Sequence, residues 1–421
     1  MQPDIKLDTL DNGLRVVTLA MPALRTAACG VWVDVGARYE PAEVNGVAHL
    51  LEHMAFKGTR RRTAKGIAEE IEDVGGHLNA YTTREQTAYY ARVLGDDLPL
   101  ALDLVADILR NSVIDAGELA REREVVLQEI GQVHDTPDDL VFDLFQEAAY
   151  PGQPLGRSIL GPADIVADLP RDALLAYMEE HYKPERMVLA AAGHLEHAQV
   201  VDMAERLFGD MQGGRANGCS PAAYAGGEHR AERDLEQVHI CLGMPAFGYI
   251  DPDFYALQVF SSLLGGGMSS RLFQEVRENR GLAYSVFSYT SCYRDHGLLG
   301  IYAGTGDEHS RELLDVVADE CRRFVETVDE SEAKRGRAQL KTSQAMALES
   351  ASAMCEDMAR QLIAFGRVIP QDEILAKIDA VDVDLLKRVG RRLLAAGTPT
   401  LAALGPLADM PRLDEFSARL G

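Results

Sequence analysis

Two segments of this 421-residue chain repeat one another across about half its length, and no other feature restricts the fold as much. The segment Leu189, Ala190, Ala191, Ala192, Gly193, His194, Leu195 recurs as Leu401, Ala402, Ala403, Leu404, Gly405, Pro406, Leu407, a displacement of 212 residues. A helix-like stretch precedes each copy. In it Asp168, Leu174 and Leu175 correspond to Asp379, Leu385 and Leu386, displaced by 211. Between about 208 and 233 the periodicity lapses into a Gly-, Ala- and Ser-rich run that includes Gly213, Gly214, Gly218, Gly226 and Gly227, as expected of a linker. The organisation expected is a first domain at 1–212, a linker at 213–232 and a homologous second domain at 233–421.

Each half mixes two kinds of pattern. The alternating runs at 86–94 and 284–290 read as strands, while 98–109 reads as a helix with a broad apolar face. The expected class is α+β, with helices packed on a largely antiparallel sheet in each domain. Composition narrows the functions. With 42 Lys+Arg against 66 Asp+Glu the net charge is −24, which argues against nucleic acid as a partner. No run of 18 apolar residues occurs, so no membrane span is expected. The six cysteines are scattered singly and residues 1–6 hold no basic stretch leading into an apolar run. Reduced thiols in a bacterial cytoplasm are the corresponding expectation.

The chemistry concentrates in His49-Leu50-Leu51-Glu52-His53. At about 100° per residue, Val47, Leu50, Leu51 and Met54 share one face of a helix, and His49, Glu52 and His53 gather on the other. Imidazoles at i and i+4 lie one turn apart and can reach a single ion, which suits four-coordinate zinc. Glu52, between them, is placed to take a proton from water near that ion. The alternative is a pair of solvated histidines, which calls for no partner elsewhere in the chain.

A catalytic zinc needs a third protein ligand. Glu118, Glu122 and Glu129 fall within about 40° of one another on a helix, beside Leu119, Val126 and Ile130. Stacked carboxylates repel, so a nearby cation would relieve them. A solvated acidic face balanced by Arg121 and Arg123 fits the same spacing equally well, and spacing does not choose between Glu122 and Glu129.

The arrangement at 49–53 resembles the inverted zinc motif of the inverzincins, the pitrilysin and mitochondrial processing peptidase family. The stretches 56–59, 75–82, 84–87, 265–273 and 280–285 are similar to its bacterial and processing-peptidase branch. The resemblance runs through nearly the whole chain. It implies Glu129 as the third zinc ligand, 76 residues after His53, with one Zn2+ per chain, and Glu122 as a second catalytic glutamate beside the metal. It implies that Asn79, Ala80 and Tyr81 belong to an edge strand that binds extended substrate, and that Arg271 and Tyr284 hold the substrate backbone. Sliding residues 47–53 along by 213 lays Leu50 and Leu51 on Leu263 and Leu264, with Gly265 and Gly266 in place of Glu52 and His53. The second half thus keeps the scaffold without the ligands.

The activity implied is a zinc metalloendopeptidase acting on peptides or presequence-like unfolded segments, with basic residues favoured because Asp138, Asp139 and Asp143 follow Glu129. Family members enclose substrate with four such domains, so a homodimer is expected of a chain that supplies two. The other reading is a subunit or scaffold protein that needs a homologous partner chain.

Overall fold

The computed structural model describes residues 4–214 and 218–420. Its strands are β1 (Ile5–Thr9), β2 (Arg15–Ala20), β3 (Thr26–Val33), β4 (His77–Thr82), β5 (Thr87–Leu94), β6 (Met187–Gly193), β7 (Gly227–Glu232), β8 (Val238–Ala246), β9 (Ala283–Cys292), β10 (Gly297–Thr305) and β11 (Thr400–Gly405). They form a six-stranded sheet in the order β1-β2-β6-β3-β5-β4 and a five-stranded sheet in the order β7-β11-β8-β10-β9. Only β2 with β6 and β7 with β11 run parallel; the other pairs are antiparallel. Read from β2 onward, the two sheets share one order and one pattern of directions, which is the α+β duplication in three dimensions.

The repeated glycine shows why the duplication is visible in sequence. Gly193 and Gly405 end equivalent strands with φ of +119° and +136°, a region that side-chain-bearing residues seldom occupy. A Cβ on Gly193 would lie 2.3 Å from the Thr26 carbonyl oxygen, and one on Gly405 would lie 2.4 Å from that of Gln237. Both strand ends turn away at the same point under the same steric demand.

Four helices matter for the site and for the cores beneath it: α1 (Val47–Ala55), α2 (Ala116–Asp135), α3 (Pro137–Ala149) and α4 (Ala351–Phe365). The chain divides into two compact units. The first comprises Met1–Gly131, Arg157–Ser220 and Ala345–Ile369, and the second Gln132–Gly156, Pro221–Gln344 and Pro370–Gly421. The units are therefore not the contiguous blocks 1–212 and 233–421. Each takes one helix from the opposite half of the sequence.

Period-two alternation explains the exchange. On β3, Ala27, Cys29, Val31 and Val33 face one core, while Ala28 and Trp32 face another that α4 fills with Met354, Cys355, Met358 and Leu362. The second sheet is built alike: Leu401 and Ala403 face the main core, and Ala402 faces the Val141, Phe145 and Ala149 side of α3. A sheet with two apolar faces needs a cover on each. Of the expected linker, 227–232 is strand β7, and 215–217 lie outside the described residues, as do residues 1–3. Among the described residues no helix is long and apolar enough to cross a membrane.

Gly193→Ala and Gly405→Ala are each expected to cost at least about 2 kcal/mol in urea denaturation, from strain and backbone collision together. Gly366→Ala has φ +69° but open space around its Cβ, and should cost only about 1 kcal/mol.

Candidate metal centre

Helix α1 buries Val47, Ala48, Leu50, Leu51, Met54 and Ala55 against the first sheet. This burial aims His49, Glu52 and His53 the other way, as the apolar spacing predicts. Helix α2 crosses nearby and brings Glu122 and Glu129. The Glu129 Oε2 atom lies 3.7 Å from His49 Nε2 and 3.6 Å from His53 Nε2. Ligand atoms of these three residues all fall within 4.8 Å of one another. Tetrahedral zinc with bonds of about 2.0–2.2 Å spaces neighbouring ligand atoms about 3.3–3.5 Å apart. A few tenths of an ångström of closure would bring the glutamate–imidazole pairs to that spacing.

The three stacked carboxylates of α2 have separate partners. Glu118 pairs with Arg121 on its own helix. Glu122, 5% exposed, accepts from His53 Nδ1 at 3.1 Å through Oε2 and binds Lys57 Nζ at 2.7 Å through Oε1. It therefore grips the ring nitrogen of His53 opposite the one that faces Glu129, an arrangement that fixes the tautomer and aim of a ligating imidazole. Glu52 accepts a 2.6 Å hydrogen bond at Oε2 from the hydroxyl of Thr82 on β4. Spacing does not single out Lys57 or Thr82, although both lie within the family-like stretches.

Electrostatics favours a cation here. Glu52, Glu122 and Glu129 converge with one ammonium, Lys57, and the two imidazoles. Burial, and then the neighbouring His53, lowers the pKa of His49 to about 4, which keeps its ring unprotonated and able to ligate. Burial raises the carboxyl of Glu52, against the pull of the Thr82 hydroxyl and His53, while Glu129 adds to the rise.

The remaining expected residues are divided between the edge strand and the second unit. Strand β4 pairs only with β5, so its outer edge is unpaired among the described residues. On it Asn79 is exposed and Ala80 faces the core. The hydroxyl of Tyr81 accepts from Trp32 Nε1 at 3.1 Å and donates to Glu356 at 3.0 Å, on the α4 face of the sheet. In the second unit Arg271 and Tyr284 each have a charged neighbour of their own. The Arg271 guanidinium is bidentate to Glu332, at 2.9 and 2.6 Å, and donates to Thr327. The cation beside Tyr284 is Arg277, 4.4 Å over a ring that is 78% exposed.

The position of Glu52 corresponds to Gly265 in the second half, where a Cβ would meet the backbone nitrogen of Ser288 on β9 at 2.4 Å. Strand β9 closes there over space that β4 leaves for a carboxylate.

Comparison with known proteins extends these findings. Residues 15–163 match the family described as Insulinase (Peptidase family M16), and residues 168–340 match the Peptidase M16 inactive domain. An uncharacterised zinc protease from Rickettsia felis is 40% identical over 407 residues, covering 96% of this chain and 98% of the relative. A probable mitochondrial-processing peptidase subunit beta from Arabidopsis thaliana is 39% identical over 432 residues, covering 99% and 81%. A protease from Helicobacter pylori shares the fold with a TM-score of 0.89 at 22% identity, over 96% of this chain and all of that one.

His49 gives the site one component of its pH response. The unfolded chain protonates this residue near 6.5 and the folded chain only near 4, so between these values the unfolded state binds the extra proton. The stability that His49 contributes to the metal-free protein should therefore fall as pH falls from about 6.5 to 4, by up to about 1.4 kcal/mol per unit, read as the difference between wild type and His49→Gln because the raised carboxyls of Glu40 and Glu52 act with the opposite sign. Urea titrations at several pH values, with His49→Gln as the flattened control, measure it.

Proposed function

The chain belongs to the insulinase family, peptidase family M16, and on that basis we propose that it is a zinc-dependent endopeptidase of the processing type, cutting peptides or presequence-like unfolded segments. The observation that carries this reading is the convergence of His49 Nε2, His53 Nε2 and Glu129 Oε2, with Glu52 on the same helix turn. These three residues would hold one zinc per chain. When bound, zinc supplies Lewis-acid polarisation of a peptide carbonyl and lowers the pKa of water.

The chain's own residues do the rest. Glu52 has Oε2 engaged by Thr82, which leaves Oε1 to take the proton of the attacking water and return it to the leaving amine. Glu122, held by Lys57, steadies the His53 ring. The free edge of β4 offers backbone donors and acceptors at Asn79, Ala80 and Tyr81 to an extended peptide, a mode that grips any sequence. Tyr284 and the Arg277 beside it present donors suited to peptide carbonyls. Arg271 braces the segment that precedes them through Glu332.

Substrate preference and assembly complete the reading. Asp138 and Asp139 open α3 and Asp143 comes one turn later, so basic peptides are the substrate class, helped by the charge of −24. Four-domain enclosure makes a homodimer the assembly. A partner-dependent subunit is the second reading, favoured by relatives named subunit beta of a processing peptidase.

Purified protein with one equivalent of zinc should cleave quenched peptides containing arginine. Chelation should abolish cleavage, and Glu52→Gln should lower kcat about 10^3-fold while zinc still binds. Matched peptides with Ala in place of Arg should be cut more slowly, and equal rates would remove the basic preference. Light scattering that gives a single 46.0 kDa chain would contradict the homodimer. An inactive chain that binds zinc would favour the partner-dependent reading.

A further inference from the structure

The helix that carries the metal-site residues starts without a cap of its own. Its N-cap position is Gly46, with φ +99° and no side chain. A Cβ there would stand 2.7 Å from the Leu160 carbonyl oxygen, so no capping side chain fits. Asn45, just before it, turns its Nδ2 to Glu40 at 2.7 Å and to the Ser158 carbonyl at 3.1 Å.

The first turn is met from farther up the chain. Glu40 Oε2 accepts from the Gly46 amide at 2.9 Å, and Oε1 accepts from the Ala48 amide at 2.8 Å. Glu40 is 2% exposed, and its backbone carbonyl is in turn held by Arg157. The Asn45 amide and these two backbone amides are all donors, and between them they use both carboxylate oxygens. Only a carboxylate satisfies all three, because an amide or a protonated acid would turn a donor toward a donor. Burial drives the carboxyl up and the three donors, with Arg157, hold it back, so that it is raised to about 7.

We propose that Glu40 is a positioning residue of the metal centre: its buried carboxylate anchors the first turn of α1 and so sets where His49 stands relative to Glu129. The contact ends at Ala48, one residue before His49. It also puts negative charge at the positive end of the helix dipole. Partners one shell out from a metal commonly change affinity by 10–100-fold. The inference rests on the reading of His49, His53 and Glu129 as metal ligands, and its test separates the two.

Zinc affinity is measured by chelator competition on the wild type, on Glu40→Gln, and on Val188→Ala, a destabilising control buried on the far face of the same sheet. All are held well below their melting temperatures, and cobalt(II) absorption spectra are recorded in parallel. Glu40→Gln should bind zinc 10–100-fold more weakly with an altered cobalt spectrum, while Val188→Ala binds as the wild type does. A folded Glu40→Gln with wild-type affinity and spectrum would overturn the inference. Equal weakening in Val188→Ala would do so too, since the effect would then be general destabilisation. A wild type that binds no zinc would instead defeat the metal-site reading itself. Should Glu40→Gln fail to fold, Asn45→Ala removes one donor and leaves the carboxylate on the two amides. A several-fold loss of zinc affinity is then expected, and none would overturn the inference.

Discussion

The packing of Val47, Leu50, Leu51 and Met54 against the first sheet is the contact on which everything else in the site depends. A nine-residue helix has little intrinsic stability in water, so its apolar face has to hold it. Once that face is buried and Glu40 holds the first turn, helical geometry sets the spacing of His49, Glu52 and His53. The second unit makes the same contact with Leu263 and Leu264, 3% and 0% exposed. It lacks only the polar face. One scaffold therefore serves two ends: where the helix's outward side carries His49, Glu52 and His53 it faces Glu129 and Thr82, and where it carries glycine a strand closes in.

Around this contact the charges are sorted by distance. Glu129 faces both Nε2 atoms, Glu122 holds the opposite nitrogen of one ring, and Glu52 is tied to a strand. Three carboxylates so close would repel one another in a dry interior. Lys57 offsets part of that, and a divalent ion would offset the rest. Placing Thr82 on the edge strand also links the carboxylate proposed to move the proton with the strand proposed to hold the substrate.

Much of this was legible in the sequence because it depends on local periodicity. The spacing of His49, Glu52 and His53, the apolar stripe beneath them, and the repeated glycines at 193 and 405 are each dictated within a few residues by helix or strand geometry. What was not legible depends on contacts between distant parts of the chain. Residues 132–156 and 345–369 sit in the unit opposite to their place in sequence order, because apolar alternation on a strand shows that both faces are covered without naming the cover. The Glu332 partner of Arg271 lies 61 residues away and has no local signal. Glu122 and Glu129 are alike on a helical wheel, and only the course of α2 past the two imidazoles separates them.

The exchanged helices bear on how such a chain is made. The first sheet is complete by Gly193, yet its Trp32 face is covered by α4, which ends at Phe365. A ribosome must synthesise about 170 more residues before that cover exists, roughly ten to thirty seconds at ordinary elongation rates. Throughout that interval the Trp32 face of the sheet lacks its cover, and a gene cut at the glycine-rich midpoint would leave each product with one bare face.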